Sequence, residues 1–164
     1  MKKVAIIMGS DSDLPIIEKA TAVLDSFSVP YEVHVYSAHR TPDEAAEFAD
    51  KAKENGFGVI IGCAGMAAHL AGALAARTTL PVIGIPCKSS IGDGTDALLS
   101  TVMMPTGVPV ATVAINGGAN AALLAIQILA VYEEELAKKL ADKKVSDKAK
   151  VLAKDAEISK KFSK

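Results

Sequence analysis

The segment from Val4 to Pro15 constrains the fold more than any other part of the chain. Five apolar residues, Val4 to Met8, run without a polar break, which is typical of a strand buried on both faces of a parallel sheet. Gly9 then permits a sharp turn, and the next four residues, Ser10 to Asp13, are all good helix N-caps. Pro15 is tolerated in a first helical turn. The segment therefore predicts a buried strand followed by a helix N-terminus, a junction that favours anions.

The same alternation of strand and helix recurs along most of the chain. Apolar runs bounded by turn residues predict further strands at about 31–36, 58–63, 80–86 and 108–114. The intervening patterns predict helices at about 13–27, 42–55, 70–77, 95–104 and 119–139. Pro109 places the last strand at a sheet edge. We therefore predict an α/β fold, a three-layer doubly wound (flavodoxin-like) sheet of five parallel strands in the order 2-1-3-4-5, with an extra C-terminal helix.

The C-terminal segment differs in composition from the rest of the chain. We expect residues 1–140 to form the flavodoxin-like domain and residues 141–164 to form an additional Lys-rich amphipathic helix. The apolar positions of that helix are Val151, Leu152, Ile158 and Phe162. This helix lies either on the surface of its own domain or against a neighbouring subunit, and the pattern fits both.

Composition excludes several classes of protein. Half of the 164 residues are apolar, which predicts one folded domain with a sizeable core. A net charge of −1 and 4% aromatic residues argue against a nucleic-acid surface. No apolar stretch has the length of a membrane span or the form of a signal peptide, so we expect a cytoplasmic protein that does not enter the membrane. Cys63 and Cys87 are isolated, which predicts reduced core thiols and no metal site.

Three loops carry the candidate functional residues. They follow the first three predicted strands, and they contain Ser10 to Asp13, Ser37 to Arg40, and Ala64 to His69. Because the carboxyl ends of parallel strands meet at one edge of a sheet, we expect these loops to converge near the point where the strand order reverses. The first loop matches neither the P-loop nor the G-x-G-x-x-G pattern, which argues against the nucleotide sites that those patterns form.

Arg40 is one of only two arginines, and its guanidinium can hold a phosphate through two parallel hydrogen bonds. The alternative is a surface arginine paired with Asp43 or Glu44. A capping box of Thr41 and Glu44 is predicted at the helix that starts beside it. Asp13 either accepts both hydroxyls of a ribose or serves as a plain helix N-cap.

Two histidines are candidates for proton transfer. His39 lies in a loop at the expected cleft, and an imidazole titrates near neutral pH, so His39 is either a proton carrier or a structural loop residue. His69 either belongs to the same site or occupies an ordinary first helical turn. From the residues alone, the chain is a flavodoxin-like domain that binds a small phosphorylated ligand.

Five short motifs, in this order along the chain, resemble the N5-carboxyaminoimidazole ribonucleotide mutase (PurE) family of purine biosynthesis. The resemblance covers residues 4 to about 132, and its motifs are 8–13, 37–42, 67–70, 104–110 and 119–125. It implies a rearrangement in which the carboxylate on the exocyclic nitrogen of a ribonucleotide moves to ring carbon 4. It also implies that no ATP, metal or organic cofactor takes part and that the assembly is a homo-octamer with sites between subunits.

The resemblance also assigns roles to individual residues. Ser12, Ser37 and Arg40 would hold the phosphate, Asp13 the ribose, and Ser10 matches a further substrate-binding position. His39 matches the essential histidine of the family, which implies a proton shuttle between nitrogen and carbon. The remaining residues implied at the substrate are Ala38 and the loop that would close over the base and the carboxylate, namely Gly65, Ala67, Ala68 and His69.

Two other functions remain open beside the mutase. A sister class carboxylates the aminoimidazole ribonucleotide directly from carbon dioxide, and it carries Ser-Ala-His-Lys and Ala-Gly-Arg-Ser-Asn at two of these loops. This chain has Arg40 and the sequence Met66 to His69 instead, which favours the mutase class. Cys63 and Met66 stand where members of that class often carry glycine. The third hypothesis is a nucleotide-sensing domain without catalysis, because a fold alone does not fix a function.

Overall fold

The computed structural model describes residues 1–90 and 92–163. Its strands are β1 (Lys3–Met8), β2 (Tyr31–Val35), β3 (Phe57–Gly65), β4 (Val82–Cys87) and β5 (Ala111–Thr112). Its α-helices are α1 (Leu14–Phe27), α2 (Pro42–Lys51), α3 (Leu70–Ala75), α4 (Thr95–Val102), α5 (Gly118–Ala130) and α6 (Glu134–Phe162). Short 3₁₀ turns at Asp11–Asp13 and Gly92–Gly94 precede α1 and α4.

The five strands form one parallel sheet in the order β2-β1-β3-β4-β5, which confirms the predicted fold and strand order. In the register of the sheet, Val4 pairs with Tyr31 on one side and with Val59 on the other. The chain leaves β1 toward β2 and then returns across β1 to β3. The strand order therefore reverses between β1 and β3, so the crevice expected of such sheets lies beside the loop that follows β1.

The buried run in β1 divides its side chains between two apolar layers. Val4, Ile6 and Met8 face the layer that α1 and α5 cover, whereas Ala5 and Ile7 face the layer that includes residues of α2 and α3. This alternation is the period of two that a strand imposes. Burial on both faces explains why the run from Val4 to Met8 contains no polar residue.

A glycine lets α5 pack directly on the start of α1. A Cβ added to Gly118 would lie 2.2 Å from the carbonyl oxygen of Ile16, closer than any real contact of that kind. The bare backbone of Gly118 is therefore required where the two helices meet. This contact supports α1 just beyond the loop that carries Ser10 to Asp13.

Most elements differ from their predicted bounds by a few residues, and two differ for a reason that the structure shows. The fifth strand is limited to Ala111–Thr112, because Pro109 has no N–H to donate and the strand lies at the sheet edge. The single helix predicted at 119–139 is broken at residues 131–133, where Glu133 has an extended backbone and its carbonyl accepts hydrogen bonds from Leu136 and Ala137. The break contains neither glycine nor proline, so the sequence pattern gave no sign of it.

The helix that follows this break, α6, continues without interruption to Phe162 and includes the predicted C-terminal helix. Leu136 is its buried anchor, whereas the apolar side chains at 151, 152, 158 and 162 are exposed. Among the described residues, no helix has both the length and the hydropathy needed to cross a membrane.

Candidate substrate-binding cleft

A cleft of about 800 Å³ opens at the carboxyl edge of the sheet. Loops that follow all five strands contribute to its walls. The structure brings nine of the eleven predicted site residues together there: Ser10, Ser12, Asp13, Ser37, Ala38, His39, Arg40, Gly65 and Ala67. Ala68 and His69 are not among the residues that line it.

The loop after β1 is a compact turn that is held by Ser10. The Ser10 hydroxyl accepts a hydrogen bond from the amide of Ser12 (3.3 Å) and donates one to the carboxylate of Asp11 (3.2 Å). The amide of Asp13 donates to the Ser10 carbonyl at 3.2 Å. The turn thereby places Ser12 and Asp13 at the wall of the cleft, immediately before α1.

Asp13 is a nearly buried carboxylate at this wall, with 9% of its surface exposed. Its side chain makes no capping hydrogen bond to α1, which removes the interpretation of Asp13 as a plain N-cap. Burial raises the pKa of the Asp13 carboxyl, and hydrogen bonds from the Cys87 thiol and the Ser10 amide oppose that rise. The carboxylate is therefore desolvated and retains capacity to accept hydrogen bonds from a ligand.

The loop after β2 is closed by side-chain hydrogen bonds. The Ser37 hydroxyl accepts from the amides of His39 (3.3 Å) and Arg40 (3.2 Å). The Thr41 hydroxyl accepts from the Ser37 amide at 2.8 Å and donates to the Ser37 carbonyl at 3.2 Å. The predicted capping box is wrong, because the Thr41 hydroxyl bonds within this loop and makes no capping bond to α2. The closed loop presents His39 and Arg40 to the cleft.

The Arg40 side chain links the first two loops. Its Nη2 atom donates to the carbonyl of Gly9 at 3.0 Å, across the boundary between β1 and β2. Within the described residues it forms no ion pair with Asp43 or Glu44, the alternative that the sequence left open. The other guanidinium N–H groups are the donors that an anion in the cleft can use. The second arginine, Arg77, pairs instead with Asp50 of α2.

The loop after β3 is built from small residues and one strained methionine. Ala64, Gly65 and Ala67 line the cleft, and so does Met66, whose side chain is 53% exposed. Met66 adopts a left-handed backbone conformation (φ 56°), which residues other than glycine rarely adopt. The small neighbours allow a ligand to approach the backbone closely here.

The last two residues of this loop turn away from the cleft. Ala68 is buried, and its carbonyl accepts a hydrogen bond from the Thr101 hydroxyl at 3.3 Å. The His69 imidazole lies over Gly72, where a Cβ would approach its Cε1 atom to 2.7 Å and the Met104 sulfur to 2.9 Å. A role for Ala68 and His69 in the site therefore stays a prediction.

The sequence analysis missed the contribution of the loops after β4 and β5. These loops place Lys88, Ser89, Ser90 and Asn116 among the residues that line the cleft. The Asn116 side-chain oxygen accepts from the Lys88 amide at 2.8 Å, and the Lys88 ammonium pairs with Asp93 at 2.5 Å. The signal was present, since the rule that parallel strands end at one edge applies to these two loops as well.

Two cysteines lie beneath the cleft. Cys63 at the end of β3 and Cys87 at the end of β4 are both free and buried, with their sulfur atoms 2.9 Å apart. Together with a carboxylate oxygen of Asp13, the two sulfurs form a group of potential metal ligands within 4.8 Å of one another. Both cysteines are free core thiols, as predicted. Their grouping with Asp13 was not foreseen, because its members come from the turn after β1 and from β3 and β4 and share no local spacing.

The fold and the cleft together define an α/β protein with a cleft at the switch point of a doubly wound sheet. Residues 3–150 match the model of the family described as AIR carboxylase, where AIR is aminoimidazole ribonucleotide. The chain belongs to this family. The match confirms the resemblance that the five sequence motifs carry.

Individual relatives agree with this assignment. The chain is 54% identical over 155 residues to the N5-carboxyaminoimidazole ribonucleotide mutase of Pyrococcus horikoshii, an alignment that covers 91% of this chain and 88% of the relative. It is 52% identical over 151 residues to the phosphoribosylaminoimidazole carboxylase of Saccharomyces cerevisiae, covering 92% of this chain and 26% of the relative. The crystal structure of Treponema denticola PurE superposes with a TM-score of 0.85 at 28% identity and 98% coverage of both chains.

Proposed function

We propose that this chain is an N5-carboxyaminoimidazole ribonucleotide mutase, an isomerase of purine (IMP) biosynthesis. It moves a carboxylate from the exocyclic nitrogen to ring carbon 4 and yields 4-carboxy-5-aminoimidazole ribonucleotide. The observation that carries the proposal is the convergence of Asp13, His39 and Arg40 in one cleft. The names of relatives that are more than 50% identical to the chain supply the reaction.

The phosphate of the substrate binds between the first two loops. Arg40 supplies charged N–H donors from a side chain already anchored on Gly9. The Ser37 hydroxyl oxygen accepts hydrogen bonds from two backbone amides, so its O–H is left to donate to a partner outside the loop. Ser12 completes this group of donors at the same wall of the cleft.

The ribose binds at Asp13. Its carboxylate accepts hydrogen bonds from two vicinal hydroxyls, as acidic residues do in other nucleotide sites. Because burial has already removed most of the water from this side chain, hydrogen bonds from the substrate offset part of the cost of desolvation. Binding energy from ribose and phosphate then positions the aminoimidazole ring, on which the reaction takes place.

His39 carries the proton in the reaction. When carbon dioxide leaves the exocyclic nitrogen, that nitrogen gains a proton from the imidazolium, and the neutral imidazole later removes the proton from carbon 4. The charge is conserved, and one side chain serves both steps because an imidazole titrates near neutral pH. Carbon dioxide stays in the site between the two steps, and the small residues around Gly65 and Ala67 let the loop close over it.

Turnover of N5-carboxyaminoimidazole ribonucleotide in labelled bicarbonate, without ATP, tests the proposal. We expect the 4-carboxy product to form with little label, because the carboxylate is transferred inside the site. The His39→Asn variant is the matched control, and we expect it to bind the nucleotide but to lose turnover. Full activity of this variant would remove His39 from the mechanism.

The direct carboxylase is the second candidate. The yeast relative is named a carboxylase and is 52% identical to the chain, so identity alone does not separate the two reactions. Heavy labelling from the start, or equal rates from the uncarboxylated ribonucleotide, would identify this activity. Nucleotide binding without any product would instead identify a sensing domain.

We also infer that the protein is a cytoplasmic homo-octamer, in which segment 141–164 packs on a neighbouring subunit. Large apolar side chains stay exposed on the single chain, among them Tyr132 (92%), Met103 (76%) and Phe162 (72%). Side chains of this kind favour burial between subunits. Sedimentation velocity tests the octamer, and truncation after residue 140 should release smaller species. Cell fractionation tests the location.

A further inference from the structure

The residues Asp13, Cys63 and Cys87 form a cluster that the proposed reaction uses only in part. They come from the turn after β1 and from the ends of β3 and β4, so the sheet itself holds them together. Their exposed fractions are 9%, 0% and 1%. One ligand atom from each lies within 4.8 Å of the others.

We propose that Asp13, Cys63 and Cys87 bind one thiophilic divalent cation, such as Zn²⁺, at the base of the cleft. Two thiolates and one carboxylate are donors that zinc accepts, and three protein ligands leave the fourth tetrahedral position for water or for a ligand in the cleft. Asp13 lines the cleft, which gives an entering ion access to the cluster. The proposal concerns an additional ion, which the proposed reaction does not use.

Only a small rearrangement of the cluster accommodates the ion. Two Zn–S bonds of about 2.3 Å in tetrahedral geometry place the sulfurs about 3.8 Å apart. The sulfurs are now 2.9 Å apart, so they must separate by roughly 0.9 Å, which rotation of two short side chains supplies.

Charge balance in the cluster comes from the ion and its ligands. Binding of the ion converts both thiols to thiolates and releases two protons to solvent. The bound cation then neutralises most of the charge of two thiolates and the Asp13 carboxylate in a buried place.

An ion bound in this way competes with the substrate for Asp13. An Asp13 oxygen that coordinates the cation is no longer free to accept a ribose hydroxyl, so the carboxylate cannot hold both hydroxyls in its present position. We therefore expect micromolar zinc to raise KM for the substrate without lowering kcat. This consequence rests on the proposed function, whereas binding of the ion does not.

Titration of the reduced, metal-free protein with Co²⁺ tests ion binding directly. We expect a thiolate-to-cobalt charge-transfer band that saturates at one ion per chain and disappears when Zn²⁺ is added. Cys63→Ser and Cys87→Ser should each weaken binding by more than the roughly 10- to 100-fold that loss of an outer partner causes. His39→Asn is the matched control, because His39 lines the same cleft but lies outside the cluster, and it should keep the full band.

Three results would overturn the proposal. They are the absence of the band in the reduced wild-type protein, an unchanged band in both serine variants, and equal loss of the band in His39→Asn. Circular dichroism and thermal unfolding of each variant show that it is folded before the titration. A band without any activity on the nucleotide would support the ion site and refute the proposed function, so the two proposals fail separately.

Discussion

Replacement of Arg40 by alanine gives the sharpest test of where the phosphate binds. One N–H of the guanidinium is already used on the Gly9 carbonyl at 3.0 Å, which leaves the other donors for the ligand. A charge-assisted hydrogen bond contributes about 1.5–3 kcal/mol, and the exposed position of this side chain reduces that value through solvent screening. We expect a total loss of about 2–3 kcal/mol in substrate binding.

This loss corresponds to a rise in KM of roughly 30- to 150-fold, with kcat nearly unchanged. The assay compares two substrates, the ribonucleotide and the nucleoside that lacks its phosphate, in both the wild-type protein and the variant. For the nucleoside, we expect Arg40→Ala to change KM little, because the group that the arginine contacts is absent. Arg40→Lys keeps the charge but lacks the planar guanidinium, so its KM for the ribonucleotide should lie between those of the wild-type protein and Arg40→Ala.

Two results would refute this reasoning. An unchanged KM for the ribonucleotide in Arg40→Ala would mean that the phosphate lies elsewhere in the cleft. An equal rise in KM for the nucleoside would mean that Arg40 acts by holding the Gly9 loop and not by contacting phosphate. The double comparison separates these two roles, which a single variant cannot do.

Three further predictions concern stability. Burial raises the pKa of Asp13 above its ordinary value of 3.8, because the charged carboxylate is disfavoured in the folded state. The free energy of unfolding therefore falls as pH rises from 3.8 through the folded-state pKa. Asp13→Asn should therefore raise the urea midpoint at neutral pH but not below pH 3.8, and an equal gain at both pH values would contradict this. Met66→Gly should stabilise the fold by about 0.5–1 kcal/mol, because it relieves a left-handed backbone; Met66→Ala, the control, should not. Gly118→Ala should lower the free energy of unfolding by about 1–3 kcal/mol, because the added Cβ clashes with Ile16. Gly9→Ala, where the nearest neighbour of a Cβ is 3.6 Å away, should lower it by less. Equal losses in the two variants would refute the role of the contact between Gly118 and Ile16.

The sequence by itself determined the layered fold and most of the cleft. The apolar run from Val4 to Met8 and the turn residues after it are local signals, and the rule that parallel strands end at one edge converts them into a site. His39 and Arg40 could be placed beside Asp13 in this way, without knowledge of any contact.

Only the tertiary structure decided the features that depend on distant parts of the chain. The break before Glu134 carries no local signal. The position of the His69 imidazole depends on the space that Gly72 leaves and on the Met104 side chain. The same is true of the cysteines, which are 24 residues apart and meet because of the register between β3 and β4.

The physical reason for this division is the range of the interactions. Apolar periodicity and turn chemistry act between neighbours along the chain, so a sequence displays them openly. The cluster of Asp13, Cys63 and Cys87 instead results from strand register and side-chain packing, which arise only when the whole sheet has formed.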